Sequence, residues 1–160
     1  MEPQPPHHPL RRLDRALTEP EAWEILARAE WGVLSTLGED GWPYGVPLNH
    51  VVVDGRIYAH CAKVGHKLEN LAAESKVSYC AVTHAEVVPA ELATNYESAV
   101  LFGRAVIVGD EAEKRRALEA LLARFAPQHP AEGAEAMGKD FARTAVLRIT
   151  PERVTAKARH

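Results

Sequence analysis

The chain has 160 residues, 46% hydrophobic and 26% charged, with a formal net charge of −3, which suits one domain with a real core. That charge gives no basic footprint for nucleic acid or an anionic membrane, and no run of about 18 apolar residues offers a membrane span. Cysteine occurs only at 61 and 80, both in apolar stretches, so buried free thiols and a cytoplasmic chain are expected.

Residues 1–17, headed by the proline-rich MEPQPPHHP, read as a flexible arm, with His7 and His8 as exposed tail histidines. Residues 18–160 read as a single domain. Thr18-Glu19-Pro20-Glu21 opens a helix: Thr18 can cap, Glu21 can complete a capping box, and Pro20 is tolerated in the first turn. Trp23, Leu26 and Ala27 share its face. From Trp31 the period shortens to two. WGVLST is a strand, Gly38 to Gly41 a turn, and PYGVPLNHVVV a long strand holding Pro43 and Pro47. Asp54-Gly55 marks a hairpin turn, and RIYAHCA returns. After Gly65, Leu68, Leu71 and Ala72 take helical spacing. KVSYCAV is a strand, and NYESAVLFGRAVIV is a longer one in which Gly103 signals a bend, bulge or close approach. A helix spans about Asp110 to Phe125 with Leu118, Leu121, Leu122 and Phe125 as its stripe. Residues 126–143 read as a loop and a weak helix, and TAVLRIT and ERVTAK as two closing strands. Hairpin-linked strands with few helices argue for an antiparallel barrel whose openings are covered by helices.

Three places carry candidate chemistry. In Gly65-His66-Lys67, a glycine precedes a helix start whose first N–H groups have no intrahelical partner, and the helix dipole favours an anion there. Lys67, Lys63 and His66 add charge and donors, which makes a sensible phosphate cradle, although neither a Walker loop nor a GxGxxG fingerprint is present. The second place is Pro47-Leu48-Asn49-His50, where proline in a strand implies an edge or bulge, and polar side chains could meet a heterocycle. In the third, His60 shares a strand face with Tyr58, opposite Ile57, Ala59 and Cys61; it could serve as acid, base or ligand. Each also has a structural reading: a solvated loop, a hydrogen-bonded strand histidine and a half-buried one. No GxSxG elbow supports serine hydrolysis, and without CxxC or HExxH a dedicated zinc site has little support.

The segments YGVPLNH, IYAHCAKVGHKLEN and NYESAVLFGRA, with LRITPERVTAKA at the end, resemble in combination the flavin-binding split-barrel superfamily of pyridoxamine phosphate oxidases. The similarity is closest to the Nim group of 5-nitroimidazole resistance proteins, and it covers most of residues 31–157. The resemblance implies a mainly β, α+β fold: a six-stranded antiparallel split β-barrel with flanking helices, dimerising with FMN in clefts at the interface. It implies that Val46, Pro47, Leu48, Asn49 and His50 run along the isoalloxazine with their backbone, that His60 and Cys61 lie near the ring or ribityl chain, and that Gly65, His66 and Lys67 hold the phosphate. Ser98 matches a flavin-facing strand position, with Asn95, Tyr96 and Glu97 close by. His60 matches the Nim active-site histidine. The implied activity is FMN-dependent reduction of small electrophiles such as nitroaromatics by a homodimer, with NAD(P)H or an electron carrier as donor. The alternatives are a non-catalytic flavin binder, a haem protein using His50, His60 or His66, or a deazaflavin protein. The C-terminal aromatic and arginine set with which pyridoxamine oxidases grip substrate is not found here, and Ala156 stands where Nim-like chains commonly have glycine.

Overall fold

The computed structural model describes residues 8–160. In chain order the elements are β1 (Ala16–Leu17), α1 (Glu19–Arg28), β2 (Trp31–Leu37), β3 (Pro43–Asn49), β4 (Val51–Val53), β5 (Arg56–Ala62), α2 (His66–Ala73), β6 (Lys76–Val88), β7 (Ala93–Ile107), α3 (Glu111–Phe125), α4 (Pro130–Asp140) and β8 (Thr144–Arg159). The strands pair antiparallel in the order β3-β2-β6-β7-β8-β5-β4, with β1 added on β8. This is the expected α+β split barrel. Six strands, β2, β3, β5, β6, β7 and β8, make the wall, and β1 and β4 are short additions.

Strand alternation builds the interior. Leu34 and Thr36 on β2, Val77, Tyr79 and Ala81 on β6, and Ala99, Leu101 and Ala105 on β7 are buried, while their neighbours face outward and stay partly exposed. Helix α1 plugs this interior with Ala22, Ile25 and Leu26, packed on β6, β7 and β8. Its start is the capping box read from the sequence. The Thr18 N–H donates to the Glu21 carboxylate at 2.7 Å, and the Glu21 N–H returns to Thr18 Oγ1. Helix α3 covers the outer face instead, burying Ala117, Leu118 and Leu121 against Val51, Tyr58 and Val146. Ile57, Tyr58 and Ala59 are consequently all buried, one face of β5 by the interior and the other by α3.

The structure departs from the sequence expectations in three places. The long strand 43–53 breaks at His50 into β3 and β4. The two closing strands are one: β8 runs through Pro151, where the register with β7 skips Glu152, pairing Gly103 with Pro151 and Phe102 with Arg153. A one-residue bulge absorbs the missing proline N–H and bends the strand without ending it. Glycine is required opposite, because a Cβ on Gly103 would lie 2.2 Å from the Thr150 carbonyl oxygen. The expected weak helix, by contrast, is present as α4, eleven residues long. Of the expected arm, residues 1–7, His7 included, lie outside the described residues. Leu13–Arg15 make a 3-10 turn, and β1 pairs with Lys157 and Ala156.

Candidate functional site

Strand β3 ends the sheet, and among the described residues its second edge has no strand partner. One residue later β4 is already paired with β5. Between β3 and the C-terminal half of β5, therefore, the barrel is split. Asn49 and His60 face each other across this seam in a cleft of about 320 Å³, roofed by Leu118, Leu122, Met137 and Phe141 from α3 and the α4 region. His60 is exposed to the cleft. Asn49 is held by its amide, which donates to the Glu30 carbonyl at 2.9 Å. The cleft is thus mostly apolar, with the His60 imidazole, the Asn49 amide, the Asp140 carboxylate and the Thr144 hydroxyl as its polar lining. This composition suits a small flat organic ligand.

The expected cradle, Gly65-His66-Lys67, lies beside the start of β3. Gly65 precedes α2 with φ of 130°, a conformation that favours glycine. No side chain caps the helix, and a Cβ at Gly65 would meet nothing within 4 Å. Leu68 and Glu69 donate to the Gly65 carbonyl, which leaves the His66 and Lys67 N–H groups at the helix start without an intrahelical partner. The His66 ring rests on Tyr44 of β3 with centroids 4.2 Å apart, which brings the cradle alongside β3. Lys67 is half-buried and close enough to Cys61 to offset part of the rise that burial imposes on that thiol. Cys80 is pushed up by burial alone. Both free thiols are therefore kept protonated, away from nucleophilic chemistry. Free donors, a lysine and open space fit the phosphate of FMN.

His50 behaves differently from its neighbours. Its side chain is fully buried. Nε2 lies 2.6 Å from the Leu26 carbonyl and must donate to it. The Tyr79 hydroxyl lies 2.9 Å from Nδ1 and 3.0 Å from the Leu48 carbonyl, so its single proton is shared between two acceptors. Burial holds the His50 pKa below the usual histidine range, with a smaller contribution from Arg124. The imidazole is thus a neutral pin fixing the β3–β4 kink to α1. Its backbone stays on the seam, but its ring is not available to a haem iron. Val46 and Leu48 likewise turn their side chains into the core, while Pro47 and Asn49 face out.

Ser98 is not brought to this seam. It pairs with Lys157, whereas His60 pairs with Val146, and the two partners lie at opposite ends of β8. Ser98 instead lines a groove with His8, Leu10 and Arg11. Of its neighbours, Glu97 is held by Thr83 and Arg28, which lower its pKa, and Asn95 accepts from Arg159. The sequence reading missed Tyr44, Leu122, Met137 and Phe141. A signal existed for the last two: Met137 and Phe141 stand four apart in an otherwise small and polar segment.

The family model for pyridoxamine 5'-phosphate oxidase matches residues 18–158. The chain belongs to this family. Similar solved structures include a candidate 5-nitroimidazole antibiotic resistance protein from Bacteroides thetaiotaomicron, at 20% identity and TM-score 0.72, over 89% of this chain and 85% of that one. An FAD-binding protein from Mesorhizobium loti is 24% identical with TM-score 0.69, over 91% and 98% of the two chains. An FAD- and haem-binding protein from Mycobacterium smegmatis is 22% identical with TM-score 0.73, over 88% and 71%. At these identities the likeness establishes the shared split barrel. No curated protein matches the chain.

Proposed function

We propose that the protein is an FMN-dependent oxidoreductase of the cytoplasm that reduces small electrophiles, nitroaromatics among them, as a homodimer. The observation that carries this reading is the seam, where a phosphate cradle and an apolar cleft holding His60 lie along one open strand edge. Gly65, His66 and Lys67 would hold the phosphate, and the backbone of Val46 to His50 would lie along the ring. FMN bound there supplies the hydride and electron chemistry. The chain supplies the rest. The α3–α4 roof excludes water, Asn49 orients the substrate, and the His60 imidazolium N–H delivers a proton to the substrate oxygen that gains electrons, then recovers it from solvent.

The second subunit is argued from the outer face of the sheet. Val33, Pro47, Cys80 and Val100 occupy paired positions there and remain partly exposed. Beyond them the β6–β7 hairpin carries Val87 at 71% and Leu92 at 96% exposure. A second copy would cover this surface, and Ser98 with Asn95 and Tyr96 would then serve the partner's seam. The deciding experiment is reconstitution with FMN, followed by anaerobic reduction with NADH or NADPH and reoxidation by a nitroimidazole. Stoichiometric FMN in a dimer and nitroimidazole-dependent reoxidation are expected. Uptake of FMN without reduction by any donor would leave a flavin-binding protein in place of an enzyme.

One observation favours a second reading, haem binding: Met137 lines the same cleft as His60, and an imidazole with a thioether is a known axial pair. A Soret band on haem titration that is lost in both His60→Ala and Met137→Leu would support it.

A further inference from the structure

Phe141 and Thr144 line the His60 cleft on one side and a groove of about 540 Å³ on the other. The floor of that groove is Leu68, Ile107 and Val108, and its charged residues are Lys63, Lys114 and Glu111. Lys63 comes two residues before Gly65, so the groove begins where the phosphate cradle ends. Lys114 is only 8% exposed. Its ammonium donates to the Phe141 carbonyl at 2.5 Å and lies 4.2 Å from the Phe141 ring centroid.

This arrangement leaves a net positive charge, two ammonium groups against one carboxylate. An ammonium has three hydrogens to donate, and the carbonyl takes one. Among the described residues Lys114 forms no ion pair with a carboxylate. A covered cation with neutral contacts is costly, and a second like charge makes it more so. Burial and then Lys63 lower the Lys114 pKa, and Glu111 offsets only part of this. An anion held between the two lysines would relieve both costs, and the apolar floor would take the less polar part of the same ligand.

Resting on the flavin reading above, we propose that the Lys63–Lys114 groove binds the adenylate phosphate of a dinucleotide whose redox half occupies the seam. Two sources share this chemistry: FAD as the resident cofactor and a nicotinamide dinucleotide as the donor.

The test uses the full chain, Lys63→Ala and Lys114→Met. Circular dichroism checks folding, and the exposed Lys63 is the position least able to disturb it. Apoprotein is titrated with FMN and FAD, following flavin fluorescence. If FAD is the source, each variant raises the FAD Kd at least tenfold, and Lys114→Met leaves the FMN Kd within twofold. If the donor is the source, Lys114→Met leaves both flavin affinities unchanged while its KM for NADH rises at least tenfold in FMN-loaded protein. Equal losses for FMN and FAD in Lys114→Met, or no change in any of these, overturn the proposal. If the wild type takes up neither flavin, the flavin reading fails on its own terms. ADP titrated calorimetrically onto that protein then decides the groove: binding heat lost in both variants supports it, and heat that is absent or unchanged overturns it.

Discussion

Two amphipathic coverings close this barrel, and they close it differently. Helix α1 offers Ala22, Ile25, Leu26 and Ala29 on one face, and all four are at most 3% exposed. The α3–α4 covering leaves clefts of about 320 and 540 Å³ beneath it. The difference is compositional. Between 130 and 141 the chain reads PAEGAEAMGKDF, in which Met137 and Phe141 are the only large apolar residues. They cannot fill the space above β5. A sealed side supplies stability, and an underfilled side leaves room for a ligand.

That contrast can be broken or sharpened by substitution. The largest effect is expected at His60: His60→Ala should retain FMN but lower turnover by roughly 10²- to 10⁴-fold, the usual contribution of a positioned acid or base. Unchanged steady-state turnover would remove His60 from the chemistry. Next, Leu26→Ala on the sealed side should cost about 2–5 kcal/mol in urea unfolding. Leu122→Ala beneath the open roof should cost only about 1 kcal/mol, and equal losses would erase the distinction between the coverings. Lys67→Ala should raise the FMN Kd by about 1.5–3 kcal/mol, roughly 10- to 150-fold. Riboflavin, without the phosphate, should bind as before; parallel losses would misplace the cradle.

Two smaller effects complete the series. The folded-state pKa of His50 is lowered, so the unfolded chain binds the proton first as pH falls. The stability the buried neutral ring confers is complete above the unfolded value, near 6.5, and is lost as pH drops through the folded one. The stability gap between wild type and His50→Gln should therefore be wider at pH 7.5 than at pH 5.5, and a gap independent of pH would contradict the neutral pin. Thr18→Ala, which removes the cap of α1, should cost about 1 kcal/mol.

The sequence shows the elements whose signals are local. The capping box at Thr18, the Asp54-Gly55 turn and the helix start after Gly65 depend on residues within a few positions of one another, and each is present. What the sequence hides depends on distant partners. Nothing near His50 announces that its ring will be taken up by Leu26 and Tyr79, 24 residues before it and 29 after it. Pro151 suggests a strand end, and only the bulge opposite Gly103 shows how β8 passes through it. Lys114 reads as a surface residue of α3 until Phe141, 27 positions later, folds over it. The separation of Ser98 from His60 likewise requires the register of β8, which no local pattern specifies.

The free edge of β3 has a bearing on solubility. Pro43 and Pro47 pair with Leu37 and Val33 of β2 without a register shift, so their nitrogens point away from β2, toward the unpaired side. That edge therefore lacks two of the donors that another molecule's strand would need for continuous pairing. The open edge of the seam is thus protected against templated aggregation by the residues that line it. A chain with threonine at both positions would keep a similar shape but present an intact ladder, and should precipitate on mild warming at concentrations where the native sequence stays in solution.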